Sequence, residues 1–115
     1  MTYNEKLADR VREMIAETHK RVEEKKMFGC LCFMVNKKMC AGVRHDLLMV
    51  RLDPARHDEF MEKEGCRPME FGGKVMKSLL AVDIEALTTK KKLDYWIKLA
   101  LEYNKIAKSS KRKGS

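Results

Sequence analysis

The sequence predicts a single α+β domain whose elements follow one another in the order α-β-β-β-β-α-β-β-α. Apolar residues recur at helical spacing near both ends of the chain, which predicts a helix at each end. Between these helices, short apolar runs are separated by two-residue spacers, a pattern typical of β-hairpins. The chain has 115 residues, a length that suits one domain with a modest core.

The first helix and the strands that follow it are predicted from local patterns. Thr2 and Glu5 fit a capping box, with Thr2 as the N-cap. Asn36-Lys37 and His45-Asp46 are the expected hairpin turns. Four consecutive strands are expected at residues 21–27, Cys30–Val35, Lys38–Arg44 and 47–52.

The second half of the chain continues with a helix, a hairpin and a last helix. Asp53-Pro54 predicts the start of the short helix, with an acidic N-cap followed by proline at the first helical position. Gly72-Gly73 predicts the turn of the hairpin. The remaining elements are expected as strands at 67–71 and 76–83 and a helix at about 90–107. The domain should therefore span residues 3–107, and the basic segment 108–115 is expected to be a disordered tail.

The positive charge is concentrated near the C-terminus. The net charge is +8, and residues 84–115 hold nine Lys and Arg against three Asp and Glu. Such a segment can attract polyanions, so weak nucleic-acid binding is one alternative function. The other interpretation is a solvated helix face. The candidate basic patch consists of Lys90, Lys91, Lys92, Lys98, Lys105, Lys108, Lys111, Arg112 and Lys113.

The sequence favours a cytoplasmic protein with no membrane partner. No apolar run approaches the roughly 20 residues of a membrane-spanning helix. The N-terminus lacks the apolar core of a signal peptide. Thiols stay reduced in the cytoplasm, so the four cysteines do not imply disulfides.

Two-residue turns fix an expected strand register, which divides the sheet into two faces. In this register Phe33 lies opposite Cys40, and Val43 lies opposite Leu48. One face then has no charge and is expected to be covered by helices. The other face mixes apolar groups with cations, which suits a protein partner or a homodimer; a third helix lying across it is the alternative. This candidate interaction face comprises Leu31, Phe33, Val35, Arg44, Leu47, Met49 and Arg51.

The same register bears on the cysteines and on catalysis. Cys30 and Cys32 would lie on the charge-free face and Cys40 on the other, so no tetrahedral zinc site is expected and no cofactor is predicted. A three-residue first turn would change which side chains share a face and would bring Cys32 opposite Cys40. His45 and His57 are not tied by sequence to any cysteine, and no phosphate loop or dinucleotide fingerprint is present. A thiol-based enzyme or redox sensor is thus the least favoured hypothesis.

Several motifs, taken in order, resemble the N-terminal domain of the TfoX/Sxy family. They are LADRVRE, KKMFGCLCFMV, MCAGVR, LMVRL, RPMEFGGKVMKSLLAV and YWIKLALEY. The resemblance covers nearly all of residues 3–107 and implies a curved antiparallel sheet with flanking helices. Full-length members are associated with the regulation of competence genes for DNA uptake, whereas this chain resembles the standalone single-domain members. The motifs add Lys26, Phe28, Arg67 and Lys77 as candidate contacts; core packing is the alternative for Phe28, and an ion pair for Arg67 and Lys77.

The leading hypothesis is therefore a non-enzymatic cytoplasmic regulatory or adaptor domain that acts through protein–protein contacts. The departures from the usual pattern include Cys30, where a glycine is common, and Lys37, which replaces a frequent turn glycine.

Overall fold

Six strands form one open antiparallel sheet, and three helices accompany it. The structure is a computed structural model that describes residues 3–19, 22–27, 29–71 and 73–107, except for the side chains of residues 27 and 71. The strands are β1 (Val22–Met27), β2 (Cys30–Val35), β3 (Lys38–Arg44), β4 (Leu47–Arg51), β5 (Cys66–Phe71) and β6 (Lys74–Asp83). The helices are α1 (Glu5–Ala16), α2 (His57–Met61) and α3 (Lys90–Ile106), with 3₁₀ turns at Pro54–Arg56 and Ile84–Ala86. The predicted α+β class and element order are confirmed.

The strands are arranged in the order β1-β2-β3-β4-β6-β5. The first four strands form the predicted meander, and β6 then pairs with β4 while β5 occupies the far edge. Helix α3 packs on β3 and β4, and α1 packs on α3 and β3. The main core lies between the helices and one face of the sheet. It includes Leu7, Val11, Ile15, Phe33, Val43, Leu48, Val50, Phe60, Leu80, Leu93, Trp96 and Ile97.

Helix α1 starts two residues later than the capping box predicted. Asn4 is the N-cap, and its side-chain oxygen accepts a hydrogen bond from the Leu7 N–H at 3.0 Å. Asn4 also donates its own backbone N–H to the carbonyl of His45 at 2.8 Å. The prediction of Thr2 as N-cap is wrong, because the chain before α1 is bound to the β3–β4 turn. Thr2 itself lies outside the described residues.

A β-bulge in the β2–β3 hairpin decides which side chains face the helices. The two-residue turn is as predicted, since Val35 pairs with Lys38, and Asn36 and Lys37 both have positive φ. Phe33, however, pairs with Ala41 instead of Cys40, because the register shifts between Phe33 and Met34. An extra residue on one strand reverses the alternation beyond it. The predicted faces are therefore wrong for β2 relative to the far half of β3.

The C-terminal end of α3 is joined to the β2–β3 hairpin by a group of polar contacts. Asn104 is 2% exposed, and its Nδ2 donates to the Val35 carbonyl at 3.1 Å. Asn36 donates its amide to Asn104 Oδ1 at 3.2 Å. The ammonium group of Lys38 donates to the carbonyls of Asn104 at 2.5 Å and Ala107 at 2.9 Å. Cations favour a helix C-terminus, so Lys38 both satisfies these carbonyls and complements the helix dipole.

No helix in the described part of the chain is long and apolar enough to cross a membrane.

Replacement of Asn104 by alanine is expected to destabilise the domain by about 1–3 kcal/mol, because the buried Val35 carbonyl loses its Asn104 partner. Urea unfolding followed by circular dichroism measures this change. Lys105→Ala is the matched control, since Lys105 is an exposed neighbour and should stay within about 0.5 kcal/mol of the parent. Equal stability of the Asn104 and Lys105 variants would contradict the assigned role.

Candidate functional site

Among the side chains that the structure describes, six that contain sulfur lie together on the sheet face opposite the helices, and we call them the sulfur cluster. Its buried members are between 2% and 8% exposed, and they form a second small core with Ala81. Leu47 and Leu79 pack against it. The sulfur cluster consists of Cys30, Cys32, Met34, Met39, Met49 and Met69.

The register explains why these residues meet. Cys32 pairs with Gly42, Gly42 with Met49, and Met49 with Ala81, so the four residues form one row across the sheet. Gly42 has no side chain, and a Cβ there would lie 2.9 Å from the terminal methyl of Met49. The Met49 side chain therefore extends over Gly42 toward β2. Its sulfur lies 3.9 Å from the sulfur of Cys30.

Cations lie at the border of the sulfur cluster. Arg44 is half-buried at the end of β3, and Arg51 is half-buried at the end of β4. Burial raises the pKa of the Cys30 thiol, and the positive charge of Arg44 acts in the opposite direction. Arg44 is therefore close enough to the Cys30 sulfur to stabilise negative charge on it.

The other thiols are also shifted toward the protonated form. Burial raises the pKa of Cys32 to about 11, and the neighbouring Cys30 thiol raises it as well. Burial raises the pKa of Cys40 to about 12 and that of Cys66 to about 11. Cys40 belongs to the main core on the helix side, so it remains separated from Cys30 and Cys32, although the two sides are exchanged relative to the prediction.

The predicted interaction face is divided between the two sides of the sheet. Leu31, Phe33 and Val35 are buried in the main core beneath the helices, which is the alternative that the sequence left open for them. The predicted partners on β3 and β4 lie on the helix-free side. The predicted grouping is wrong because Cys40 is an extra residue on β3. Beyond it, each side chain of β3 lies on the opposite face, relative to β2, from the one predicted. The helix-free members are Arg44, Leu47, Met49 and Arg51.

The three motif residues that the structure describes lie in separate places. Lys26 is exposed on β1, with its ammonium group 6.0 Å from the centre of the Tyr3 ring. Arg67 forms an exposed ion pair with Asp83 at 2.9 Å. Lys77 is exposed on β6. Phe28 lies outside the described residues, so its contact or core role stays a prediction.

The lysines of the candidate basic patch that can be described are all exposed on α3. Two of them form ion pairs, Lys90 with Glu17 at 3.3 Å and Lys98 with Asp94 at 3.0 Å. Lys91, Lys92 and Lys105 complete the described set. The other four predicted members, Lys108, Lys111, Arg112 and Lys113, lie outside the described residues.

The β5–β6 hairpin carries an exposed segment of which the sequence analysis named only Lys77. Strand β6 pairs with β4 only from Leu79 to Asp83, so its first residues extend past the end of β4. Residues 74–77 are all exposed there. Val75 is 46% exposed and Met76 is 37% exposed. We call residues 74–77 the hairpin arm.

The histidines are not placed beside a thiol nucleophile by any described contact. His45 is exposed in the β3–β4 turn, whereas His57 is buried at the start of α2. The buried Nδ1 of His57 has no hydrogen-bond partner among the described residues. Within those residues, no group of three or more His, Cys, Asp or Glu side chains is arranged to hold a metal ion.

One protein-family model matches most of the chain. The model of the TfoX N-terminal domain family matches residues 13–103. This chain belongs to the TfoX N-terminal domain family. The match includes β1 to β6 and most of α3, and it confirms the resemblance seen in the sequence motifs.

The solved structures provide a fold relative of this TfoX N-terminal domain. It is the crystal structure of a protein from Pseudomonas syringae that was a target of the Northeast Structural Genomics Consortium. The two chains are 13% identical and superpose with a TM-score of 0.59, over 88% of this chain and 97% of the other. This likeness supports the fold. No curated protein matches the chain.

All four thiols of this TfoX N-terminal domain are expected to react slowly with iodoacetamide at neutral pH. A pKa of about 11 for Cys32 and Cys66 leaves about 100-fold less thiolate than the reference value of 9.0. Mass spectrometry with glutathione as the reference thiol measures the rates, which should rise with pH. The urea-unfolded chain is the control and should react quickly. One cysteine that reacts as fast as glutathione in the folded protein would restore the thiol-based hypothesis.

Binding of the basic patch to duplex DNA is expected to be weak and steeply salt-dependent, since it would rest on counterion release. Deleting residues 108–115 should abolish this binding. The double variant Lys91→Gln/Lys92→Gln should reduce the slope of log affinity against log salt concentration by about 0.9 for each phosphate that it no longer neutralises. Fluorescence anisotropy at several salt concentrations measures both. Lys25→Gln, on exposed β1, is the control. Affinity that survives the deletion would count against this alternative.

Proposed function

We propose that this domain is a non-enzymatic cytoplasmic regulatory or adaptor module that acts through protein–protein contacts. Membership of the TfoX N-terminal domain family supports a regulatory role, because full-length members of the family are associated with competence regulation. The raised pKa values of the four thiols argue against cysteine nucleophiles, which require thiolate at neutral pH.

The hairpin arm is the observation that best supports a protein partner. Two exposed apolar side chains, Val75 and Met76, follow Lys74 and precede Lys77 along β6, and as consecutive strand residues they point to opposite faces of the arm, so each face presents one apolar side chain. Protein interfaces combine an apolar centre, in which methionine is enriched, with a polar rim. The arm also extends beyond β4, so a partner can reach it without displacing a helix. Lys77, predicted from the family motifs, would then contribute at the rim.

Arg67 is a less direct candidate for partner binding. Its guanidinium is held by Asp83 across the β5–β6 hairpin. An exposed pair of this kind contributes little to stability, typically about 0–1 kcal/mol. We propose that the pair orients the base of the hairpin, and that the contact itself is made by the arm.

The double variant Val75→Thr/Met76→Gln is expected to lose partner proteins while remaining folded, because both side chains are exposed and make little contribution to the core. Cross-linking of the tagged full chain in native lysate, followed by mass spectrometry, measures the loss. Nuclease treatment is included so that nucleic-acid bridges are removed.

Ile106→Gln is the matched control, because Ile106 is 74% exposed on α3, outside the arm. Sedimentation of the purified chain distinguishes a second copy from a different protein. Cross-links retained by the arm variant and absent only in the Ile106 variant would move the contact to α3. Cross-links that disappear entirely with nuclease would favour the nucleic-acid alternative.

A further inference from the structure

The sulfur cluster has a composition that core packing alone does not require. Two thiols and four thioethers share one face of the sheet, whereas the main core is built mostly from branched aliphatic and aromatic residues. Thiolate and thioether ligands are soft donors, which favour Cu(I), zinc and iron–sulfur clusters, and thioethers are suited to Cu(I). We propose that the sulfur cluster binds one Cu(I) ion through Cys30, Cys32 and Met49.

The spacing of the sulfur atoms fits this coordination. The sulfurs of Cys30 and Met49 are 3.9 Å apart. Two sulfurs that share a metal at about 2.3 Å each and subtend an angle between tetrahedral and trigonal lie about 3.8–4.0 Å apart. The pair is therefore already separated by the distance that a common metal ion demands.

Cys32 supplies the second thiol from the same strand. Residues i and i+2 of a strand point to the same face, about 6.5 Å apart along the chain, so Cys30 and Cys32 can direct their sulfurs toward one point. Cys30, Cys32 and Met49 belong to the same cluster of buried side chains, so the two thiols share one small core with the thioether. Both side chains are at most 5% exposed, which protects bound Cu(I) from water.

Gly42 makes the third ligand available. Met49 lies two strands away from Cys32, with Gly42 between them in the row. Because Gly42 has no side chain, Met49 lies across β3, where a Cβ at Gly42 would stand 2.9 Å from its methyl group. An unbranched thioether can make this crossing, and its sulfur arrives beside Cys30.

The charges also balance at the site. On binding, Cu(I) and the two thiols would form a Cu(I) bis-thiolate and release two protons. The metal does not change its oxidation state, so no oxidant or reductant is needed. The product has a net charge of −1, and the half-buried cation Arg44 lies on the same face of the sheet, at the end of β3. Met49 adds a neutral donor. Met34 lies on the same face and is the nearest alternative thioether on β2.

Zinc suits this site less well. Structural zinc sites use four ligands drawn from Cys, His and carboxylates. The described residues offer no such group of three or more, and the nearby donors are thioethers. Selectivity for Cu(I) over Zn(II) therefore follows from the chemistry of the donors.

Anaerobic titration of the reduced full chain with Cu(I), in competition with bathocuproine disulfonate, tests the proposal. The parent should take one equivalent from the chelator, with an apparent affinity that rises with pH because two protons are released. Cys30→Ser and Cys32→Ser should each lower that affinity by about 100-fold or more, and Met49→Leu by about tenfold. Zn(II) should not compete at equal concentration.

Cys66→Ser is the matched control, since Cys66 is a thiol outside the sulfur cluster and should leave Cu(I) binding unchanged. X-ray absorption of the loaded parent gives a readout that does not depend on variant folding, and three sulfur neighbours at about 2.3 Å are expected. Failure of the parent to compete, or equal losses in the Cys66 and Cys32 variants, would overturn the proposal. These outcomes leave the hairpin-arm experiment unaffected, because the arm lies outside the cluster.

Discussion

The β-bulge at Cys40 is the constraint on which the two faces of the sheet depend. Near the turn, β2 and β3 pair in simple register, with Val35 opposite Lys38. The extra residue then places both Cys40 and Ala41 on the helix side, opposite Phe33. Beyond the bulge, Leu31 shares the core with Val43, and Cys32 shares the opposite face with Gly42. Without that residue, the sulfurs of β2 would lie beneath the helices and could not meet Met49.

The polar contacts at the end of α3 stabilise this arrangement from the helix side. Lys38 directs its ammonium group under the last turn of α3, and Asn104 binds the Val35 carbonyl. The Lys38 contact requires that its side chain lies on the helix side of the hairpin, where the Val35 side chain is also buried. The packing of α3 on the sheet and the orientation of the hairpin side chains therefore favour the same arrangement, as expected when local and tertiary preferences agree.

The positions of the strands and turns could be predicted from the sequence, but the face of the sheet on which each strand's side chains lie could not. Turn residues and apolar runs located β2 and β3 at their observed bounds, and Asn36-Lys37 forms a tight turn although neither residue is glycine. The bulge leaves no comparable mark, because its extra residue is an apolar cysteine that fits either face. The contacts of Asn4 with His45 and Asp46 and the Arg67–Asp83 pair join residues distant in sequence, which periodicity does not report. The sulfur cluster depends on the same shift of register between β2 and β3, which the sequence pattern does not reveal.

The sulfur cluster also explains why this sheet keeps a core on the face that no helix of the described residues covers. A branched side chain at position 49 could not extend across Gly42, whereas methionine has three rotatable bonds and fills such gaps. Adaptable packing and soft-metal binding thus draw on the same property, a long thioether beside two buried thiols. Filling a gap requires a thioether but no thiol within 3.9 Å of it. In the metal-free protein the Cys30 thiol donates a hydrogen bond to the Met49 sulfur, and the proposed Cu(I) site would replace that contact with two bonds to the metal.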